Sequence, residues 1–167
     1  DVPTAPEVAQ STTAVPWLAM MSHPPFKKLL HTTIAWSLAS GGITAFTVAF
    51  LKSRGGMAEG TILLVGSMAF IGGVGSLWLL GSRFDRVGSK PVLGAACGGW
   101  LVVLAGWALM AGGTIPTPLG FVLILQFFMG LLAALVGMSI NRLAMATIPE
   151  MGRNHFFAIY SVIGNLA

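Results

Sequence analysis

Residues 91–141 read PVLGAACGGWLVVLAGWALMAGGTIPTPLGFVLILQFFMGLLAALVGMSIN, 51 consecutive positions without Asp, Glu, Lys or Arg. Lys90 and Arg142 bound the run. A helix rises about 1.5 Å per residue and a bilayer's hydrocarbon core is about 30 Å thick, so roughly 20 residues cross once. The run therefore holds two crossings. Gly112-Gly113-Thr114-Ile115-Pro116-Thr117-Pro118 supplies the turn between them. Strands of a membrane barrel would alternate in polarity. Stretches such as Leu101-Val102-Val103-Leu104-Ala105 and Gly130-Leu131-Leu132-Ala133-Ala134-Leu135 do not. Helices are the only reading left.

The same ruler extends in both directions. No charge interrupts the chain between Lys28 and Lys52, or between Glu59 and Arg83. The expected spans are 29–51, 61–81, 91–111 and 119–146. The expected class is an all-α, polytopic membrane bundle with four full helices and the start of a fifth at 155–167. Segment Phe156–Ala167 extends only about 18 Å as a helix, too short to cross. Residues 1–28, rich in Pro, Thr, Ala and Ser at their start, are expected to form a leader or linker. A first residue that is Asp1 and an end inside a helix lead to the expectation of a piece of a longer protein.

Composition agrees. Mean hydropathy is +0.84. Apolar residues make up 55% of the chain and charged residues 8%. A soluble domain carries roughly a quarter charged residues. The net charge of +4 comes from cations between the apolar runs, with no basic stripe interleaved with aromatics. That excludes a nucleic-acid partner. Lys27, Lys28, Arg83, Arg86, Lys90, Arg142 and Arg153 fall on one side of the expected bundle, and only Lys52 and Arg54 on the other. The richer side is expected to be cytoplasmic, with the leader and the 82–90 loop. Cys97 stands alone, so the chain offers neither a disulfide framework nor a metal cluster.

Glycine recurs along the spans: Gly66, Gly72, Gly73 and Gly75; then Gly94, Gly98, Gly99 and Gly106; then Gly130 and Gly137 with Ala134. Small residues let backbones approach where lipid supplies no hydrophobic drive for association. These faces are expected to pack against other helices.

Between the second and third runs the chain reads Gly81-Ser82-Arg83-Phe84-Asp85-Arg86-Val87-Gly88-Ser89-Lys90-Pro91-Val92-Leu93. A tight connection between antiparallel helices needs a residue free to take positive φ, and Gly88 supplies it. Pro91 suits the first turn of the following helix. The loop resembles the signature cytoplasmic loop of the major facilitator superfamily of secondary transporters. The matches are Gly81, Asp85, Arg86, Gly88, Lys90 and Leu93, with Ser89 where a second basic residue is usual. In the family this loop latches the two halves of the transporter. The resemblance therefore implies a conformational latch at Gly81, Asp85, Arg86, Gly88 and Lys90.

Two further stretches extend the resemblance along the chain. Residues His23-Pro24-Pro25-Phe26-Lys27-Lys28-Leu29-Leu30 are similar to the entry of the family's seventh helix. Ile148-Pro149-Glu150-Met151-Gly152-Arg153 is similar to the turn between the tenth and eleventh. The implied position is the C-terminal half, helices seven to eleven. The family's two halves repeat one plan, so helices one to five fit as well.

Ionisable residues deep in a membrane are costly and mark function. Here His31 and Arg142 lie near span ends, and no carboxylate lies deep in a span. Uncharged polar and aromatic residues remain: Trp36, Thr44, Gln126 and Asn141, with Arg142 beside them. Trp36 and Thr44 lie two turns apart on the first span and are candidates for a central cavity. Gln126, alone among apolar neighbours, either contacts substrate or bonds to another helix. Trp100 and Trp107, seven residues apart, share a face that the resemblance turns toward lipid or packing.

No nucleotide loop, nucleophile–base pair, cofactor motif or metal set is present, so no enzyme and no cofactor is expected. Two functions fit. The first is part of a secondary active transporter moving a small solute by alternating access, completed by a missing half. The second is a transporter-derived accessory subunit packed against other transmembrane subunits of a larger complex. The expected location is a bacterial cytoplasmic (inner) membrane, with the lipid bilayer as the first partner.

Overall fold

A computed structural model describes residues 24–147 and 161–162 of the chain, with the side chains of 79–86 outside that description. Four helices follow one another: α1 Pro24–Ser53, α2 Glu59–Val87, α3 Ser89–Ala111 and α4 Leu119–Thr147. Even the shortest, 23 residues, reaches about 35 Å at 1.5 Å per residue. All four are long and apolar enough to cross a membrane. The protein is an all-α polytopic membrane bundle. The leader upstream of Pro24, the turn at 148–153 and the fifth segment at 155–167 lie outside the described residues, save 161–162.

Local chemistry sets the helix ends. Pro24 and Pro25 open α1, where a missing N–H costs no helical hydrogen bond. Gly56 takes φ 58° after its end, and the Leu51 carbonyl accepts from Met57 N at 3.1 Å. The exit of α3 is a Schellman motif. Gly113 takes φ 75°, Gly113 N donates to Met110 O at 3.0 Å, and Thr114 N donates to Leu109 O at 3.0 Å. Gly88 alone separates α2 from α3, with φ 86° and ψ 156°. An L side chain rarely adopts that backbone, so the joint depends on glycine.

α1 begins five residues before the expected span, and α2 continues six beyond it, through Asp85 and Arg86 to Val87. Charge marks where lipid ends. It does not interrupt a hydrogen-bond ladder that carries on into water.

α4 is the hub and contacts the other three helices. Its closest neighbour is α2. A Cβ on Gly72 would overlap the Phe127 carbonyl, and one on Gly130 would overlap the backbone of Ala69. Against α3, the side chain of Leu132 covers Gly99 and that of Leu125 covers Gly106. Other glycines of the expected packing faces, among them Gly66, Gly75, Gly94, Gly98 and Gly137, have nothing within 4 Å of an added Cβ.

Two apolar clusters form the core. In one, Phe26 and Leu29 of α1 pack with Val136, Ile140 and Ala144 of α4. In the other, Phe50 and Leu51 join Val65, Trp107 and Val122. α1 therefore runs antiparallel along α4. Trp36 meets Trp100 edge-on, with ring centroids 4.7 Å apart, and Phe50 meets Trp107 at 6.1 Å. Outward, α2 presents Leu63, Phe70, Val74 and Trp78, the last 83% exposed. In water such a face would be a liability, and in lipid it is solvated.

Candidate functional site: a groove on α1 and a polar core

One face of α1 is lined by small and weakly polar side chains. Ser40, Gly41, Thr44, Ala45 and Val48 line an open groove of about 690 Å³ that ends at Lys52. Steps of three and four residues place these positions on a single helical face. The Thr44 hydroxyl donates to Ser40 O at 2.7 Å, and the Ser40 hydroxyl donates to Ser37 O at 3.2 Å. Their protons are committed inside the helix, leaving oxygen lone pairs for a solute. Lys52 Nζ stands 3.2 Å from Glu59 Oε1, and both side chains are largely exposed. The groove thus offers a mainly apolar wall, weak acceptors and one cation at its end.

Trp36, two turns from Thr44, does not share this face. Eight residues at about 100° each set it about 80° from Thr44, on the flank beyond Ser40 and away from Gly41, Ala45 and Val48. Trp36 is half-buried and packs on Trp100, while Thr44 is exposed. Trp100 and Trp107 both point inward, 4% and 1% exposed, so packing claims their shared face and lipid does not.

Gln126 is buried in α4, with its Oε1 without a hydrogen-bond partner. Thr47 Oγ1, Trp100 Nε1 and Trp107 Nε1 share that condition. Thr47 is unlike Thr33, whose hydroxyl donates to Leu29 O at 3.0 Å. Asn141 is exposed and Arg142 half-buried on the last turns of α4, and both have interaction partners. They lie at the opposite end of the bundle from Lys52. The candidate residues therefore fall in three places: Thr44 in the groove, Trp36 and Gln126 within the bundle, Asn141 and Arg142 at the far end. Ser40, Thr47 and Lys52 are additions from the structure. Ser40 and Lys52 carry a sequence signal, since they fall four and eight residues from Thr44.

At the other candidate region, Gly81, Asp85 and Arg86 lie on the last two turns of α2, and Lys90 is exposed in the first turn of α3. Gly88 joins them with the positive φ expected of it. His31 is exposed, and its Nδ1 donates to Lys27 O at 2.7 Å. Cys97 is exposed, and no group of three potential metal ligands occurs among the described residues.

The family model described as Major Facilitator Superfamily matches residues 1–167. Comparisons with curated proteins and with solved structures found no match.

Proposed function

The chain belongs to the major facilitator superfamily, and from that premise we propose that it forms part of a secondary active transporter moving a small solute by alternating access. A transporter of the major facilitator type is what the family implies. The route is our reading: the α1 groove lines one wall of the solute passage, and a second set of helices supplies the facing wall. The observation that carries this is the open groove from Ser40 to Lys52, a face of small side chains on a spanning helix. Thr44 is its central polar contact, and Lys52 with Glu59 stands at its outer end.

On the same reading, Gly81, Asp85, Arg86, Gly88 and Lys90 are the latch, and the four helices correspond to the seventh to tenth of the family's plan. The 82–90 region then faces the cytoplasm. Further site candidates are Trp36, Gln126, Asn141 and Arg142, which would act through the fit of the bundle around the groove.

The test is uptake of a panel of labelled small solutes into proteoliposomes carrying the whole native chain. At least one solute should accumulate, and Thr44→Trp should block it with the protein still folded. Equal uptake by Thr44→Trp would remove the groove from the pathway. No uptake, together with stoichiometric co-purification of another membrane subunit, would establish the accessory-subunit alternative instead.

A further inference from the structure

Buried polar groups that the groove does not use neighbour members of the second apolar cluster along α1, α3 and α4. Gln126 is 6% exposed and Thr47 4%, and neither Gln126 Oε1 nor Thr47 Oγ1 has a partner. Trp107 Nε1, on a side chain 1% exposed, is likewise unpartnered, as is Trp100 Nε1 two turns earlier on the same face of α3.

The helix register brings three of these groups to one depth. Leu125 covers Gly106 and Leu132 covers Gly99, so seven residues along α3 match seven in reverse along α4. Gln126 and Trp107 are each one residue beyond that contact line, turned from it by about 100°. In antiparallel helices the two turns swing to the same side of the interface. α1 occupies that side, since the Phe50 ring meets the Trp107 ring at 6.1 Å. Thr47 lies one turn before Phe50 on α1. Val122 and Met129, one turn either side of Gln126, belong to the same cluster as Phe50 and Trp107.

We propose that Thr47, Trp107 and Gln126 form an internal binding site for water, one to two turns below the end of the bundle that carries Gly56 and Gly113. The donor and acceptor inventory selects the occupant. Trp107 offers an N–H, Thr47 an O–H and a lone pair, and Gln126 Oε1 a carbonyl acceptor. A water molecule accepts from the indole and donates to the amide oxygen, satisfying both at once. None of these groups is ionisable, which disfavours an ion. In a membrane interior no solvent reaches such atoms from outside, so an unpartnered set is costly unless something inside the protein fills it. A water bridge also ties α1, α3 and α4 together without a direct side-chain bond.

The experiment uses the native full chain in lipid nanodiscs, labelled with ¹⁵N at the tryptophan indoles. Trp107→Phe assigns the Trp107 indole resonance among the five tryptophans. The expected result is an exchange or Overhauser cross-peak between the Trp107 indole proton and water. It should disappear in Gln126→Leu and fall at least several-fold in Thr47→Val. Gln126→Met serves if Gln126→Leu does not fold. Absence of the cross-peak in the wild type would overturn the proposal. So would a cross-peak of unchanged intensity in the folded Gln126 and Thr47 variants. The readout is independent of transport and stands apart from the fate of the groove.

Discussion

Trp36 of α1 and Trp100 of α3 meet edge to face, with ring centroids 4.7 Å apart and planes inclined at 71°. Two helices separated in sequence by the whole of α2 are joined here by aromatic contact. Edge-to-face pairs contribute about 0.5–1.5 kcal/mol beyond the area they bury. Trp100→Leu should therefore cost about 1–3 kcal/mol, combining that loss with an unfilled volume. Trp36→Leu should cost less, because Trp36 is only half-buried. Thermal unfolding of both single variants and the double variant in one detergent checks the pair. A double variant whose loss equals the sum of the singles would mean no coupling.

Gly72 and Gly130 are positions where α2 and α4 touch through backbone, so any side chain there must push the helices apart. Gly72→Ala and Gly130→Ala should each destabilise by about 1–3 kcal/mol, the usual cost of overpacking. Gly98→Ala, where an added Cβ meets nothing within 4 Å, should be neutral or slightly stabilising. The contrast between the sites, read as unfolding midpoints, is the measurement. Similar midpoints would mean that the close approach does not hold in the membrane.

Gly88→Ala should cost about 1–3 kcal/mol, because φ 86° with ψ 156° lies in a region reserved almost entirely for glycine. The nearby Gly94→Ala, in the ordinary helical backbone of α3, is the control. Limited proteolysis should cut between α2 and α3 faster in Gly88→Ala than in Gly94→Ala. Equal rates would show that the joint tolerates a side chain.

The Lys52–Glu59 pair sits in solvent, with side chains 66% and 83% exposed. Exposed pairs of this kind contribute about 0–1 kcal/mol and are screened by salt. Glu59→Gln should leave the unfolding midpoint nearly unchanged. It also removes the partner of the one cation at the end of the groove. If the groove carries solute, Glu59→Gln should alter the uptake of anionic solutes more than of neutral ones. Identical uptake ratios would exclude a role for the pair.

Much of this architecture was readable in the chain. Gaps between charges located four spanning helices, since lipid penalises charge. Gly112 to Pro118 marked the turn that a Schellman motif and Pro118 now make, and Gly88 was expected to take positive φ and does. The C-terminal end of α2 was not readable, because Arg83 to Arg86 halt a hydropathy run without halting a helix. Spacing put Trp100 and Trp107 on one face without giving its direction, and the direction is inward. In a bundle whose every side is apolar, lipid-facing and core-facing stripes look alike, and only the neighbouring helices distinguish them. Thr47 was missed for the same reason. Its unpartnered hydroxyl acquires meaning only beside Gln126 and Trp107, on two other helices.

The single-residue joint at Gly88 has a mechanical meaning. A long loop acts as slack rope and lets one helix tilt while the next stays put. One glycine leaves no such play. Displacement at the foot of α2 is handed to α3 almost undiminished, as between two rods sharing one pin. α2 also bears on α4 through Gly72 and Gly130, so force entering at that pin reaches three of the four helices directly. α1, joined to α2 by a five-residue turn, receives that force through its packing on α4 and its ring contacts with α3 rather than along the chain.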